Sequence, residues 1–313
     1  GIPGSWMPDC AESPEIVARI TREASGALGI AEGTPVVAGA GDQAAGAVGN
    51  GVVTAGAASC ALGTSGVVFW HCDQPVFDRQ ARLHSFCHAV PGKWHLMGVT
   101  LAAGGSLRWF RDALCHEEVL RARASGRDPY DLMMAEAQKV GVGSEGLLFL
   151  PYLAGERTPH TDANARGAFV GLSLAHSKAH MTRAVVEGVT MSLRDCVELA
   201  REVGTGADEI RVTGGGAKSK LWREILAATM NSTVNTTSVD EGPAYGAAVL
   251  AAVGVGAFGS VEQACTSLTR VSESVEADDD QVRAYDAIYS LYRPLYGALK
   301  PFFERSACVF GRS

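Results

Sequence analysis

Short runs of glycine interrupt the apolar stretches of this chain, and they limit the folds that it can adopt. They occur in AGAGDQ (residues 38–43), LGTSG (62–66), AAGGS (102–106) and TGGGA (213–217). The chain holds 37 glycines among 313 residues, well above the usual share. Glycine permits tight turns and close approach of the backbone to a ligand. An apolar strand, a glycine turn and a helix in succession predict an α/β protein that binds ligands at these turns.

The first part of the chain is predicted to contain a helix, a strand and a second helix. Helical spacing of apolar residues behind Ser13 and Pro14 predicts a helix over residues 13–28. The segment PVVAGAGDQAAGAVG then predicts a strand that ends in glycines, followed by Asp42 and a helix of small residues. We therefore expect Asp42 near the carboxyl end of a strand, where ligands of α/β sheets usually bind.

The rest of the chain reads as one domain of strands and amphipathic helices. Alternating and β-branched segments predict the strands, and apolar residues at helical spacing predict the helices. The predicted strands are 58–62, 67–70, 94–100, 146–153, 209–213 and 233–238; the predicted helices are 104–114, 177–203, one from Ser219 and one from Ala244. Residues 63–66 should join the first two strands as a hairpin. Four tyrosines at helical spacing (285, 289, 292 and 296) are interpreted as core packing.

Composition and motifs exclude several classes of function. A net charge of -7 provides no basic surface for nucleic acid or anionic lipid. The longest apolar stretch is broken by glycines and too short for a bilayer, so we expect no membrane contact and a cytoplasmic location. The eight cysteines have no metal-ligand or disulfide-framework spacing. The nucleotide motifs GxGxxG and GxxxxGK[ST], the hydrolase motif GxSxG and any metal-binding cluster are all lacking.

Two interpretations remain open for the glycine turns and for Asp42. Residues 63–66 form either an ordinary hairpin turn or a nest of N–H groups and hydroxyls that holds phosphate. The turn at residues 214–216 could lie against adenine or ribose. Asp42 either caps its helix or accepts a proton from a hydroxyl that attacks a phosphate.

A longer segment resembles the signature of a known family. GAFVGLSLAHSKAHMTRAVVE (residues 167–187) resembles the C-terminal signature of the FGGY carbohydrate kinases. LLFLPYLAGERTPHTDANARGAF, VVAGAGDQAAGAVG and LGTSGVVF resemble the xylulose kinases of that family. The resemblance implies an α/β fold of the ribonuclease H-like type, as in actin, hexokinase and Hsp70, with two domains hinged around ATP. This chain would supply the second lobe.

The resemblance also implies roles for individual residues. Asp42 matches the catalytic base, which takes a proton from the terminal hydroxyl of the sugar. Other positions match the family's nucleotide site: Gly63, Thr64 and Ser65 at the phosphates, Gly104 and Arg108 along the nucleotide, and Gly215, Gly216, Ala217 and Lys220 at the adenosine. Lys220 departs from the family pattern, because some relatives have asparagine at this position. The implied activity is phosphorylation of D-xylulose, or of another polyol or ketose such as ribulose, gluconate or glycerol, by ATP with Mg²⁺. No resident metal ligands are identified.

The resemblance further implies how the chain is divided. Residues 1–57 would be the tail of the N-terminal kinase domain, and residues 58–313 would be the ATP-binding C-terminal domain. We expect the N-terminal kinase domain, with its first phosphate loop, to be missing, and the chain by itself to be inactive or only a nucleotide-binding module. A homodimer through the second domain is a further expectation.

Overall fold

A seven-stranded mixed sheet organises the structure, which is a computed structural model that describes residues 2–239 and 242–311. The strands are β1 Ile16–Arg19, β2 Pro35–Val37, β3 Gly56–Leu62, β4 Gly66–Cys72, β5 His84–Cys87, β6 Trp94–Thr100, β7 Leu148–Leu150, β8 Ala168–Val170, β9 Ala207–Thr213, β10 Thr233–Thr237 and β11 Val271–Val275. The helices are α1 Arg22–Leu28, α2 Asp42–Gly49, α3 Gly104–Leu114, α4 His116–Ser125, α5 Pro129–Ala137, α6 Lys178–Glu202, α7 Lys220–Met230, α8 Gly242–Gly254, α9 Val261–Leu268, α10 Asp279–Tyr292 and α11 Leu295–Val309.

The strand order of the main sheet is β11-β10-β9-β3-β4-β6-β5. Strands β3, β4 and β6 form an antiparallel unit, and β9 and then β10 continue the sheet parallel to β3. Helix α6 separates β6 from β9, α7 separates β9 from β10, and α8 follows β10. This succession is the βββαβαβα order of the ribonuclease H-like class, so the predicted fold class is confirmed.

Helix α6 packs on the sheet along a stripe that the sequence pattern predicted. Its residues Val185, Val189 and Leu193 are fully buried in the same hydrophobic cluster as Trp70 of β4. The aliphatic side chains recur at three- and four-residue spacing, which keeps them on the face toward the sheet. Burial of this face accounts for the length and position of the helix.

The carboxylate of Glu187, the last residue of the family signature, is buried inside this core. It pairs with the guanidinium of Arg183 at 2.8 Å and accepts hydrogen bonds from the Gly143 N–H, the Ser144 hydroxyl and the Tyr285 hydroxyl. A buried charge requires such partners, since an unpaired one is strongly destabilising. Glu187 therefore joins α6 to α10 and to the loop after α5. Core packing of the tyrosine stripe is confirmed at Tyr285, and Tyr289 and Tyr292 are also buried.

Helices α2 and α8 touch through their backbones. A Cβ atom placed on Gly246 of α8 would lie 1.8 Å from the Ala45 carbonyl oxygen, and one on Gly49 of α2 would lie 2.0 Å from the Gly242 oxygen. Real atoms do not approach so closely, so glycine is required at both positions. This contact holds the segment that carries Asp42 against the last helix of the β10–α8 unit.

Several predicted elements differ from the structure. The helix predicted over 13–28 is wrong in its first half, because Ile16–Arg19 forms β1 and pairs with β2, and α1 begins only after Thr21 accepts a hydrogen bond from the Ala24 N–H. The strand predicted over 146–153 is confined to Leu148–Leu150. Helices α4, α5 and α9 were not predicted.

The cysteines are free thiols, and Cys60, Cys72, Cys115, Cys196 and Cys265 are buried. Burial raises the pKa of the Cys60 and Cys265 thiols to about 12 each, so they remain protonated and pack as small apolar groups. In the described ranges 2–239 and 242–311, no helix is long and apolar enough to cross a membrane.

Candidate active site

The predicted hairpin turn between β3 and β4 is confirmed at residues 63–65. Leu62 pairs with Gly66 across the hairpin, which leaves three residues outside the ladder. No hydrogen bond of the described residues is donated by the main-chain N–H of Gly63, Thr64 or Ser65. The turn thus has N–H groups available to an anion, as a phosphate nest requires.

The N-terminus of α3 packs directly on this turn. The N–H groups of Ala103 and Gly105 donate to the Thr64 carbonyl at 2.9 and 3.0 Å, and that of Gly104 donates to the Gly63 carbonyl at 2.8 Å. A Cβ on Gly104 would lie 2.6 Å from the Gly63 oxygen, and one on Gly105 would lie 2.8 Å from the Thr64 oxygen. The AAGGS run is therefore needed for the fit between α3 and the hairpin turn.

The turn at residues 214–216 lies beside the same end of β3. Gly214 has φ +85°, and a Cβ on it would lie 2.7 Å from the Leu62 carbonyl oxygen. A Cβ on Gly216 would lie 2.9 Å from the Leu62 Cβ, whereas one on Gly215 would meet no atom within 4 Å. Packing on β3 explains two of the three glycines, and the backbone of Gly215 faces open space.

The three turns line one cavity of about 790 Å³. It contains seven of the ten residues that the sequence singled out: Gly63, Thr64, Gly104, Arg108, Gly215, Gly216 and Lys220. These residues come from three separate segments, so only the fold brings them together. A cavity of this size is in the range of small-molecule and cofactor sites.

Three of the predicted site residues do not line this cavity, namely Ser65, Ala217 and Asp42. Ala217 is buried, and its carbonyl oxygen accepts a hydrogen bond from Arg223 Nη1 at 2.6 Å. Its contact with the ligand therefore stays a prediction, and its observed contact stabilises the start of α7.

The positive charges that line the cavity come from α3 and from the residues at the start of α7. Arg108 of α3 and the neighbours Lys218 and Lys220 bring positive charge, and all three are exposed. Arg108 forms no ion pair with any residue in the described part of the chain, while Lys220 Nζ lies 3.4 Å from Glu224 Oε1. Exposed cations at a glycine-lined cavity favour a phosphate-bearing ligand.

Sequence reasoning missed the wall that α5 forms. Asp128, Tyr130, Asp131, Met134 and Gln138 all line the cavity. Asp128 accepts a hydrogen bond from the Tyr130 N–H at 2.8 Å, and Pro129 occupies the first helical position. An Asp-Pro pair is a signal for a helix start, and it could have revealed this wall.

Asp42 is exposed and begins α2, directly after Gly41. Its Oδ1 atom accepts a hydrogen bond from the Gln43 N–H at 2.8 Å. Strand β2 ends at Val37, so a loop of four residues separates the strand from Asp42. The carboxylate is exposed and therefore available to a ligand.

A second cavity of about 420 Å³ adjoins this helix start. Gly41 and Ala44 line it, together with Glu12, Cys87 and His88. Burial lowers the pKa of His88 to about 3, and its Nε2 lies 3.1 Å from the Val52 carbonyl oxygen. This histidine is therefore neutral and structural.

No group of three or more His, Cys, Asp or Glu side chains that could hold a metal occurs within residues 2–239 and 242–311. Mg²⁺ usually binds nucleotide enzymes through one or two carboxylates together with the phosphates of the substrate. A Mg²⁺ that accompanies a nucleotide would be held mainly by the phosphates, so it counts as part of the substrate.

Comparisons with known proteins relate this geometry to a family. The C-terminal domain of the FGGY family of carbohydrate kinases matches residues 58–255, and the N-terminal domain of that family matches residues 1–49. A xylulose kinase of Staphylococcus epidermidis is 39% identical over 95% of this chain, and a gluconokinase of Bacillus subtilis is 35% identical over 84%. The structure of a ligand-bound xylulose kinase from Lactobacillus acidophilus superposes with a TM-score of 0.87 at 28% identity and covers 97% of the chain.

The matches correct the prediction about the N-terminal kinase domain, and they show how much of each relative this chain covers. The expectation that the N-terminal kinase domain is missing is wrong, because residues 1–49 match that domain. The chain spans 58% of the Staphylococcus protein, 51% of the Bacillus protein and 60% of the Lactobacillus chain. The family itself follows from a domain match over more than half of the chain and from 39% identity to a relative. The chain belongs to the FGGY family of carbohydrate kinases.

Proposed function

We propose that this chain binds ATP in the larger cavity and takes part in transferring its γ-phosphate to a sugar, with D-xylulose as the substrate. The observation that carries the proposal is the convergence of the three glycine turns, at residues 63–65, 103–105 and 214–216, on one cavity. In phosphoryl transfer, catalysis rests mainly on positioning and on electrostatic stabilisation of the phosphates. Free N–H groups and exposed cations at this cavity are suited to both.

Each wall of the cavity has a role in the proposal. The turn at residues 63–65 holds the β- and γ-phosphates, with the Thr64 hydroxyl among the donors. Arg108 lies along the nucleotide, and Gly215, Gly216 and Lys220 contact the adenosine. Helix α5 covers the base with Tyr130 and Met134. Nucleotide titration calorimetry on the chain tests this assignment, and absence of ADP binding would refute it.

Asp42 is proposed as the base that accepts the proton of the attacking sugar hydroxyl. Its exposed carboxylate at the start of α2 supports this role. General-base catalysis contributes about 10²–10⁴-fold in rate. In an assay of phosphate transfer to the sugar, Asp42→Asn should lower kcat by at least about a hundredfold with an unchanged Kd for ADP. An undiminished kcat would remove Asp42 from the mechanism.

The choice of sugar is supported by the names of the relatives. Xylulose kinases and a gluconokinase are both more than 30% identical to the chain. A panel of D-xylulose, D-ribulose, D-gluconate and glycerol, assayed by sugar-dependent ADP release, distinguishes these substrates. The highest kcat/KM with gluconate would favour the second candidate. ADP binding without turnover on any sugar would indicate a nucleotide-binding module. We still expect the chain by itself to be inactive, and the same assay measures this.

A further inference from the structure

Glu156 is a buried carboxylate that the proposed mechanism does not use. Only 2% of its surface is exposed. It accepts hydrogen bonds from the Thr100 hydroxyl at 2.7 Å, the Leu101 N–H at 3.0 Å and the Arg157 N–H at 2.7 Å, and the Ser192 hydroxyl lies 3.4 Å away. Burial raises the pKa of Glu156, whereas these four donors stabilise its ionised form, whose oxygens only accept hydrogen bonds.

The groups that Glu156 holds lead directly to the glycine turns. Thr100 is the last residue of β6, and Leu101 begins the connection to α3. Only Ala102 separates Leu101 from Ala103, whose N–H begins the set of bonds to the Thr64 carbonyl. Glu156 therefore fixes one end of the segment 100–105, and the hairpin turn at residues 63–65 fixes the other.

The residues after Glu156 add a second connection to the same strand. The Thr158 hydroxyl accepts a hydrogen bond from the Val99 N–H at 3.1 Å, and the Thr158 N–H donates to the Val99 carbonyl at 3.0 Å. Residues 156–158 thus act as a short additional partner for the end of β6. The Glu156 carboxylate lies at the end of β6, where the chain continues into the glycine-containing segment 103–105.

We propose that Glu156 is a positioning residue for the phosphate end of the nucleotide cavity. Through Thr100 and Leu101 it holds the segment 103–105 against the turn at residues 63–65. The inference rests on the proposed nucleotide site. It assigns to Glu156 no contact with the nucleotide itself, since Glu156 does not line the cavity.

The test compares ADP with AMP, which differ in the phosphate that the turn would hold. Glu156→Gln retains the volume and one oxygen for the two N–H donors, but its amide NH₂ cannot accept from the Thr100 hydroxyl. Loss of a hydrogen bond to a charged group corresponds to a change of about 10–100-fold in an equilibrium constant. We expect the Kd for ADP, measured by calorimetry on the full chain, to rise about tenfold, while the Kd for AMP changes less than about twofold.

A matched pair at the donor keeps the test decisive if Glu156→Gln does not fold. Thr100→Val removes the hydroxyl at nearly constant volume, and Thr100→Ser retains it. The valine variant should weaken ADP relative to AMP, and the serine variant should restore the wild-type ratio of the two Kd values. Equal ratios in both variants would overturn the proposal.

Glu187→Gln serves as the control for general loss of a buried carboxylate. Glu187 has a comparable set of donors but holds the loop at residues 143–144, away from the glycine turns. We expect this variant to unfold at a lower temperature with the wild-type ratio of ADP to AMP affinity. If the ratio of ADP to AMP affinity fell equally in the Glu156 and Glu187 variants, the role of Glu156 would be merely structural. If the wild-type chain binds neither nucleotide, the proposed function fails as well, whereas tight ADP binding with an unchanged ratio in Glu156→Gln refutes this inference alone.

Discussion

The backbone contact between α2 and α8 provides a sharp test of the structure through Gly246→Ala. A Cβ on Gly246 would lie 1.8 Å from the Ala45 carbonyl oxygen, and ordinary van der Waals contact begins at 3.4 Å. The helices would have to separate by the difference of about 1.6 Å. The obstructing atom belongs to the main chain of another helix, so rotation of a side chain cannot relieve the contact.

The expected effect on stability follows from two opposing contributions. Overpacking of a well-packed contact costs about 3 kcal/mol, and replacing glycine by alanine inside a helix returns about 1 kcal/mol. The net loss is then about 2 kcal/mol in the free energy of unfolding. With an unfolding entropy of about 2.1 cal/mol/K per residue, a chain of 313 residues should melt about 3 °C lower.

Gly46→Ala is the matched control, because Gly46 lies on the same face of α2. A Cβ at this position would lie 3.5 Å from Pro243 Cγ, which is an ordinary contact. This variant gains the helix propensity without the clash, so it should melt about 1–2 °C above the wild type. Gly49→Ala, with its Cβ 2.0 Å from the Gly242 oxygen, should behave like Gly246→Ala.

Differential scanning calorimetry of the variants measures the order of the melting temperatures. The structure requires Gly46→Ala to lie above the wild type and Gly246→Ala to lie below it. A Gly246→Ala variant that melts at or above Gly46→Ala would refute the backbone contact. It would also remove the argument that this contact fixes the position of Asp42.

Further predictions concern a buried acid, a glycine and a helix cap. Burial raises the pKa of Asp195 to about 7 from 3.8, so the contribution of this group to stability is fully present below about pH 4 and is lost, by about 4 kcal/mol, as the pH rises to about 7. Asp195→Asn should lose this dependence in melting temperatures measured between pH 5 and 8, and an unchanged pH profile would contradict it. Gly104→Ala would place a Cβ 2.6 Å from the Gly63 oxygen, so calorimetry should show ADP binding weakened at least tenfold, and wild-type affinity would count against the proposed site. Ser219→Ala removes the acceptor of the Trp222 N–H at the start of α7 and should cost about 1 kcal/mol in urea unfolding, a loss that Ser219→Asp should largely avoid.

Local sequence signals predicted the turns of the site and much of the sheet. The hairpin at residues 63–65, helix α3 from Gly104 to Leu114 and the Ser219 cap of α7 all lie where the sequence places them. Each depends on residues close together in the chain, such as a glycine turn between two strands or a serine before an apolar helix. Such signals survive in the fold because the tertiary contacts agree with them.

The parts that sequence reasoning missed depend on contacts between distant segments. Residues 16–19 carry helical apolar spacing, yet pairing with β2 places them in an exposed strand. Tertiary pairing overrides local preference in short segments of this kind. Arg157 is exposed, whereas its neighbour Glu156 is the buried group with long-range partners. A single sequence gives no sign of which of two adjacent charges faces inward.

The position of Asp42 relative to the larger cavity is set from two directions. Helix α2 leads through a short connection into β3, and β3 ends at the turn that begins with Gly63. From the other side, α2 packs on α8, which follows β10, and β10 pairs with β9, whose end carries the turn at Gly214. Asp42 lies outside the cavity, but both routes connect its helix to the turns that line it. A change at the α2–α8 contact should therefore alter turnover through Asp42 before it alters nucleotide affinity, because the two turns are joined through β3 independently of α8.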